Sequence, residues 1–407
     1  MQPMTQKEHN SKQQPDSRSY KQILSQMIKS NMRQYSMIIA LILIMLLFQI
    51  LTEGILLKPL NITNLILQNS YILVLAIGMV LVIITGHIDL SVGSIAAFVG
   101  AIAAILMVDY SMPTYLAVII SLLLGAIIGA WQGFWIAYVK IPAFIVTLAG
   151  MLLFRGLTLV VLEGKSIAPF PETFKKISSG FIPDVFGGGN VHLLTLLIGI
   201  FLSIIYVFNE IKARSNQKKY SFEVQPKGIF IVKLVSLVVV INIFSYVLAI
   251  YEGLPNILII LGILILIYTF VMRKTTIGRH IYAIGGNEKA AQLSGVKTKR
   301  VTFLVFVNMG VLSALSGLIF AARLNAATPK AGNLFELDAI AACFIGGASA
   351  YGGIGTVPGA IIGGLVMGVM NNGMSLVGLG IDWQQAIKGL VLLAAVAFDI
   401  YNKNKNL

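Results

Sequence analysis

The sequence predicts an all-α protein that crosses a membrane many times, and three observations carry that prediction. Hydrophobic residues make up 57% of the 407 positions and charged residues only 11%, where soluble domains carry roughly 25% charged residues. The mean hydropathy is +0.87 per residue. The apolar residues also fall in runs of about 17–25, each long enough to cross the hydrocarbon core as a helix. A chain so poor in charge has no exterior suited to water, so lipid is the solvent for much of its surface.

Taken in order, the spans are expected near 37–57, 66–86, 92–109, 115–138, 142–162, 191–209, 229–251, 255–272, 301–322, 337–350, 356–372 and 383–402. Two of them, 92–109 and 337–350, are short. These read as broken or re-entrant helices, which exist at membrane depth only where protein or water covers the backbone. The expectation is therefore about 10–12 transmembrane helices within 37–402.

Basic residues orient the chain, because loops on the cytoplasmic side collect Lys and Arg. The tail 1–36 holds Lys7, Lys12, Arg18, Lys21, Lys29 and Arg33 against Glu8 and Asp16. The loop 210–228 holds Lys212, Arg214, Lys218, Lys219 and Lys227 against Glu210 and Glu223. The loop 273–300 is more basic still, and the C-terminus 403–407 carries Lys403 and Lys405. All four are expected in the cytoplasm. Six, two and four spans separate them in the order above, the even numbers that a shared side requires. The segment 163–190, balanced in charge, then lies outside.

Composition also excludes classes. The net charge of +14 sits in short clusters between apolar runs, not in a basic stripe interleaved with stacking aromatics, so nucleic acid is not an expected partner. Cys343 is the one cysteine, which rules out an intrachain disulfide and a Cys-based zinc site. His9, His87, His192 and His280 are scattered, so neither a metal nor a cofactor is expected in this chain. Glu163-Gly164-Lys165-Ser166 ends like a phosphate-binding loop, but Leu159 stands where its first glycine belongs. The chain is therefore expected to be no enzyme and to hydrolyse no ATP.

The segments that interrupt the spans carry the functional reading. In 278–300, Gly285 and Gly286 mark a turn, Asn287 is a good N-cap, and Glu288 suits the positive end of a helix. Residues 288–294 form a short helix that Gly295 closes as a left-handed cap. This is either an element that passes a partner's motion into the membrane or an ordinary capped loop helix. Thr85–Ser94 and Gly346–Gly355 are two glycine-rich polar interruptions resembling each other, a sign of two loosely related halves.

Further candidates lie in or beside the spans. Asp89 sits at a break, where a charge at the bilayer centre costs ~3 kcal/mol; it reads as a pathway or gating residue or as a helix-capping carboxylate beside Ser91. Arg155 pairs across the bundle, gates a passage, snorkels or caps a neighbouring helix. Gly125/Gly129/Gly133, Gly359/Gly363 and Gly364/Gly368 allow close helix approach. Gln68, Asn69, Gln132, Asn308, Asn371, Asn372, Gln384 and Gln385 offer uncharged donors and acceptors suited to sugar hydroxyls.

Gly285-Gly286-Asn287-Glu288, Ala290-Ala291 and Ser294-Gly295 resemble the Glu-Ala-Ala loop of ABC importer permeases, in the form found in monosaccharide permeases. Gly86-His87-Ile88-Asp89-Leu90-Ser91-Val92-Gly93 resembles a hallmark of the same family, with His87 replacing a glycine. Phe335–Ala342 with Ile345-Gly346-Gly347, and Trp383-Gln384-Gln385 with Lys388-Gly389, resemble two more. The extra segment 163–190 and the spans around 191–251 make the chain similar to the xylose and multiple-monosaccharide permeases rather than to the shorter ribose permeases.

The resemblance implies a permease homodimer in the cytoplasmic (inner) membrane that translocates a monosaccharide. It also implies an ATPase subunit with two cassettes, which carries the ATP and magnesium and engages residues 285–295, and an extracytoplasmic sugar-binding protein. The alternative is a self-contained secondary sugar transporter coupled to an ion gradient, with Asp89, Glu336 or Asp338 as its carboxylates.

Overall fold

The computed structural model describes residues 32–187, 189, 191–220, 224 and 226–405, with the side chains of 32–35, 398, 399 and 401–405 excepted. The expectations for the tail before residue 32, for Glu223 and for the side chains of Arg33, Lys403 and Lys405 thus lie outside the described residues. Elsewhere the architecture is helical. The chain runs through α1 (Met32–Leu51), α2 (Pro59–Ile84), α3 (Val92–Ala104, extended by a π turn to Asp109), α4 (Thr114–Ala137) and α5 (Ala143–Val161). A short α6 (Glu172–Ser179) precedes α7 (Leu193–Lys219), α8 (Lys227–Ile250) and α9 (Asn256–Lys274). Two short helices, α10 (Thr276–Gly286) and α11 (Glu288–Leu293), lead into α12 (Thr298–Leu324), α13 (Phe335–Ile345), α14 (Val357–Leu376) and α15 (Ile381–Lys405). Among the described residues β pairing is confined to two isolated bridges, Ile167 with Ala327 and Phe181 with Pro255.

Each predicted span coincides with a helix. Nine helices among the described residues are long and apolar enough to cross a membrane, namely α2, α3 with its π turn, α4, α5, α7, α8, α9, α12 and α14. The segment 92–109, expected as a possible break, is continuous: its small residues pack the helix against α12, and only its last turn widens. The segment 337–350 is an interrupted one. Helix α13 has 11 residues, about 16 Å at 1.5 Å per residue, or half a bilayer core. It stops where Gly347 turns left-handed (φ +80°) and the Gly347 and Ala348 amides fold back onto the Phe344 and Cys343 carbonyls.

Helix α2 is the hub, with 83% of its apolar stretch buried against α9, α12, α13 and α14. Helix α8, at 6%, belongs to a peripheral hairpin with α7 that is tied internally by Asn242 Nδ2 donating to Ser203 Oγ at 2.9 Å. Glycine permits a close crossing between α4 and α12. A Cβ at Gly125 would lie 2.5 Å from the Gly310 carbonyl oxygen, and one at Gly310 would lie 2.2 Å from that of Gly125. In the same way Gly359 and Gly363 let α14 approach α13, and Gly364 and Gly368 let it approach α2.

The two glycine-rich interruptions, 85–91 between α2 and α3 and 346–356 between α13 and α14, meet in space. The Gly353 amide donates to the Ile84 carbonyl at 2.8 Å.

Candidate functional site

Helices α10 and α11 form a platform beside the ends of α2 and α4. Helix α10 begins at Thr275, whose hydroxyl accepts from the Gly278 amide at 3.3 Å. Asn287 separates the two helices and caps the second, its Oδ1 accepting from the Ala290 amide at 3.0 Å. Helix α11 ends where Gly295 takes φ +86° and the Val296 amide returns to the Ala291 carbonyl at 3.1 Å. Ala291 is the buried anchor of α11. Glu288, Ala290 and Gln292 are exposed, and Leu293 is 90% exposed.

Glu288 is pinned by Lys140 from the α4–α5 turn, N to O 2.9 Å. That hydrogen bond holds the Glu288 carboxyl below the usual carboxylate range, against a smaller opposing effect of burial. His87 lies within electrostatic reach of both. Burial pushes its imidazole below the ordinary histidine range, Glu288 raises it and Lys140 lowers it further. Gly285 sits against the end of α2, where a Cβ would lie 1.6 Å from the Ile84 carbonyl oxygen. Gly286 is more open, with nothing near its own Cβ position.

A second set of polar residues is buried among the helices. Asp89 Oδ1 accepts from the Ser91 amide at 2.8 Å and from the Ser91 hydroxyl at 2.6 Å. Gln132 Nε2 donates to the same hydroxyl at 2.8 Å, in space kept free by Gly150. Asp89 is thus a carboxylate that closes the chain turn at the start of α3. Arg155 Nη1 donates to the Ala331 carbonyl at 2.6 Å and so caps backbone in the segment leading to α13. Glu336 lies buried in the first turn of α13, close to Gly93, with Arg155 and Asp89 within electrostatic range. Asp338 is paired with Lys388 of α15 at 2.9 Å, with Asn371 beside the same carboxylate.

The uncharged polar residues do not converge on one face. Asn372 and Asn61 exchange amide hydrogen bonds at 2.9 and 3.1 Å, Asn69 bonds its own helix at the Leu65 carbonyl, 2.8 Å, and Asn308 accepts from the Tyr268 hydroxyl. Gln384 closes the α14–α15 turn on the Leu379 carbonyl at 2.9 Å, and Gln385 is exposed near it. The structure thus joins Asp89, Ser91 and Gln132, and separately Asn371 with Asp338, while Gln384 and Gln385 stand apart. A cavity that reaches Phe335 is lined otherwise by Ala and Gly with Phe320. Among the described residues no three His, Cys, Asp or Glu side chains gather as a metal site.

Sequence reasoning assigns no role to Lys140 or Tyr282 and includes Lys388 only in a motif resemblance. A signal existed for Lys388, since a lone cation inside an apolar helix calls for a buried partner. Lys140 and Tyr282 owe their roles to packing alone.

Residues 61–396 match the family model described as branched-chain amino acid transport system / permease component. The xylose transport system permease protein XylH of Haemophilus influenzae is 42% identical, over 92% of this chain and 98% of that protein. XylH of Escherichia coli K12 is 39% identical, over 92% and 94%. The ribose import permease protein RbsC of Haemophilus influenzae is 36% identical, over 85% and 87%. No solved structure matches the chain. With a helical bundle built to cross a membrane and a match over most of its length, the chain belongs to this family of membrane permease subunits.

Proposed function

We propose that this chain is the membrane-spanning subunit of an ABC importer for a monosaccharide, with xylose the first sugar to test. Two copies form the passage, a separate ATPase drives it from the cytoplasm, and an extracytoplasmic binding protein delivers the sugar. The relatives' names carry the substrate class, since they are xylose and ribose permeases. One observation carries the coupling: α11 is a short helix, capped at both ends and anchored by Ala291, that presents Leu293 almost fully exposed. The caps fix Leu293 on the most basic loop of the chain, and this placement, with the relatives' names, supports docking of a partner there.

In this reading α10, α11, Lys140 and the basic loop 273–300 face the cytoplasm of a cell whose inner membrane holds the chain. Closure of the ATPase cassettes draws the two α11 platforms together. The bundles then exchange outward and inward openings, a population shift driven by contacts that differ between the two states. The ion-coupled alternative is less favoured, because two of its three carboxylates, Asp89 and Asp338, are already engaged by Ser91 and Lys388, which leaves Glu336 alone.

The test uses pull-down and uptake in proteoliposomes. Glu288→Lys sets a like charge against Lys140, and Gly295→Pro destroys the left-handed cap at φ +86°. Each is expected to release the ATPase and abolish sugar uptake while the permease stays inserted. Sugar uptake by the chain alone under a proton or sodium gradient would overturn the proposal.

A further inference from the structure

We propose that a backbone junction of Ile84, Gly285 and Gly353, tied by the Tyr282 hydroxyl, is where motion of the α10–α11 platform passes into both helix breaks. This rests on the coupling role proposed for that platform. Three segments far apart in sequence meet there. The Ile84 carbonyl, at the end of α2, is one that a helix terminus leaves without an intrahelical partner. Here it accepts the Gly353 amide at 2.8 Å. Gly285 of α10 is seated on the same two groups, so that a Cβ would lie 1.6 Å from the Ile84 oxygen and 2.5 Å from the Gly353 nitrogen. One turn earlier on α10, the Tyr282 hydroxyl donates to the Gly355 carbonyl at 2.7 Å.

The chemistry of the junction suits it to transmission. Gly353 is left-handed at φ +72°, a conformation that glycine adopts without strain. Two of its three members are glycines, and the contacts are backbone on backbone. At Gly285 no side chain lies between α10 and these two backbone groups to absorb a displacement, and close-packed groups pass strain on. Movement at Ile84 carries the turn that holds Asp89 and the start of α3. Movement at Gly353 and Gly355 carries the loop into α14, which begins at Val357. The platform also packs against α12 and is tied to the α4–α5 turn by Lys140–Glu288, a pair 51% and 45% exposed. Such a pair is screened by solvent and contributes little. It holds α11 in place but is too soft to drive the bundle.

The test uses the full complex of permease, ATPase and binding protein in proteoliposomes, and reads xylose transported per ATP hydrolysed. Tyr282→Phe removes one hydrogen bond and leaves the ring. It is expected to assemble with the ATPase and to hydrolyse ATP without binding protein as the unaltered complex does, while transport per ATP falls about 2- to 10-fold. Gly285→Ala, which forces α10 off the junction, should lower the ratio further. Tyr282→Phe alone decides if that second variant fails to fold, as judged by its melting in detergent. An unchanged ratio in Tyr282→Phe overturns the junction. If the unaltered chain fails to bind the ATPase, or Glu288→Lys still binds it, the coupling reading itself fails and the junction falls with it.

Discussion

The pair of Lys388 and Asp338 gives the sharpest quantitative test. Lys388 reaches from α15 to the first turn of the half-length α13, with nitrogen and oxygen 2.9 Å apart and side chains only 18% and 7% exposed. Lys388→Met keeps the length and apolar stem of the side chain but leaves the Asp338 carboxylate buried, with Asn371 as its remaining polar neighbour. Stripping one partner from a buried ion pair costs about 3–5 kcal/mol, whereas replacing both by apolar groups of similar volume is close to neutral. The expected order of stability is therefore unaltered chain and Lys388→Met/Asp338→Leu close together, with Lys388→Met well below both. Equilibrium unfolding of the purified permease in detergent, set out as a double-mutant cycle, measures the coupling directly. A loss under about 1 kcal/mol in Lys388→Met, or a double variant as poor as the sum of the singles, would refute the claim that this pair fastens α15 to α13.

Two further outcomes follow from the same structure. His87 titrates below the ordinary histidine range because it is buried, so the folded state binds its proton less tightly than the unfolded chain, and the stabilisation present above pH ~6.5 is lost as pH falls toward the folded value. His87→Asn should flatten the fall in melting temperature between pH 7.5 and 5.5, and an unchanged slope would assign that fall to other groups. Gly310→Leu forces side-chain atoms into backbone that a Cβ would already approach to 2.2 Å, whereas Gly156→Leu meets nothing within 4 Å. The first should lose its sharp size-exclusion peak, by at least the 1–3 kcal/mol of an overpacked core, and the second should keep it.

How far the sequence reads into this protein depends on the range of the physics involved. The α11 cap is local: Asn287 and Gly295 lie within five residues of everything they organise, so the turn, the short helix and its left-handed stop could be read from residue types alone. The spans are legible because solvent selects composition over a whole helix, whatever that helix packs against. The half-length α13 was foreshadowed by Gly346 and Gly347, although its start at Phe335 was placed late.

The candidate site divides along the same line. Asp89 and Ser91 are two residues apart, and their bond is a turn motif legible in the sequence. Asn371, Gln384 and Gln385 share a polarity but not a place, and polarity alone does not say which way a helix is rotated. Residue types and their spacing by themselves determined that this is a many-span helical membrane protein with a capped helix in its most basic loop. Only the tertiary structure decided that Lys388 answers Asp338 and Lys140 answers Glu288, and that Gly285, Ile84 and Gly353 share one junction. Those partners are separated by tens to hundreds of residues, and their meeting is set by how helices pack, on which residue type at one position carries no information.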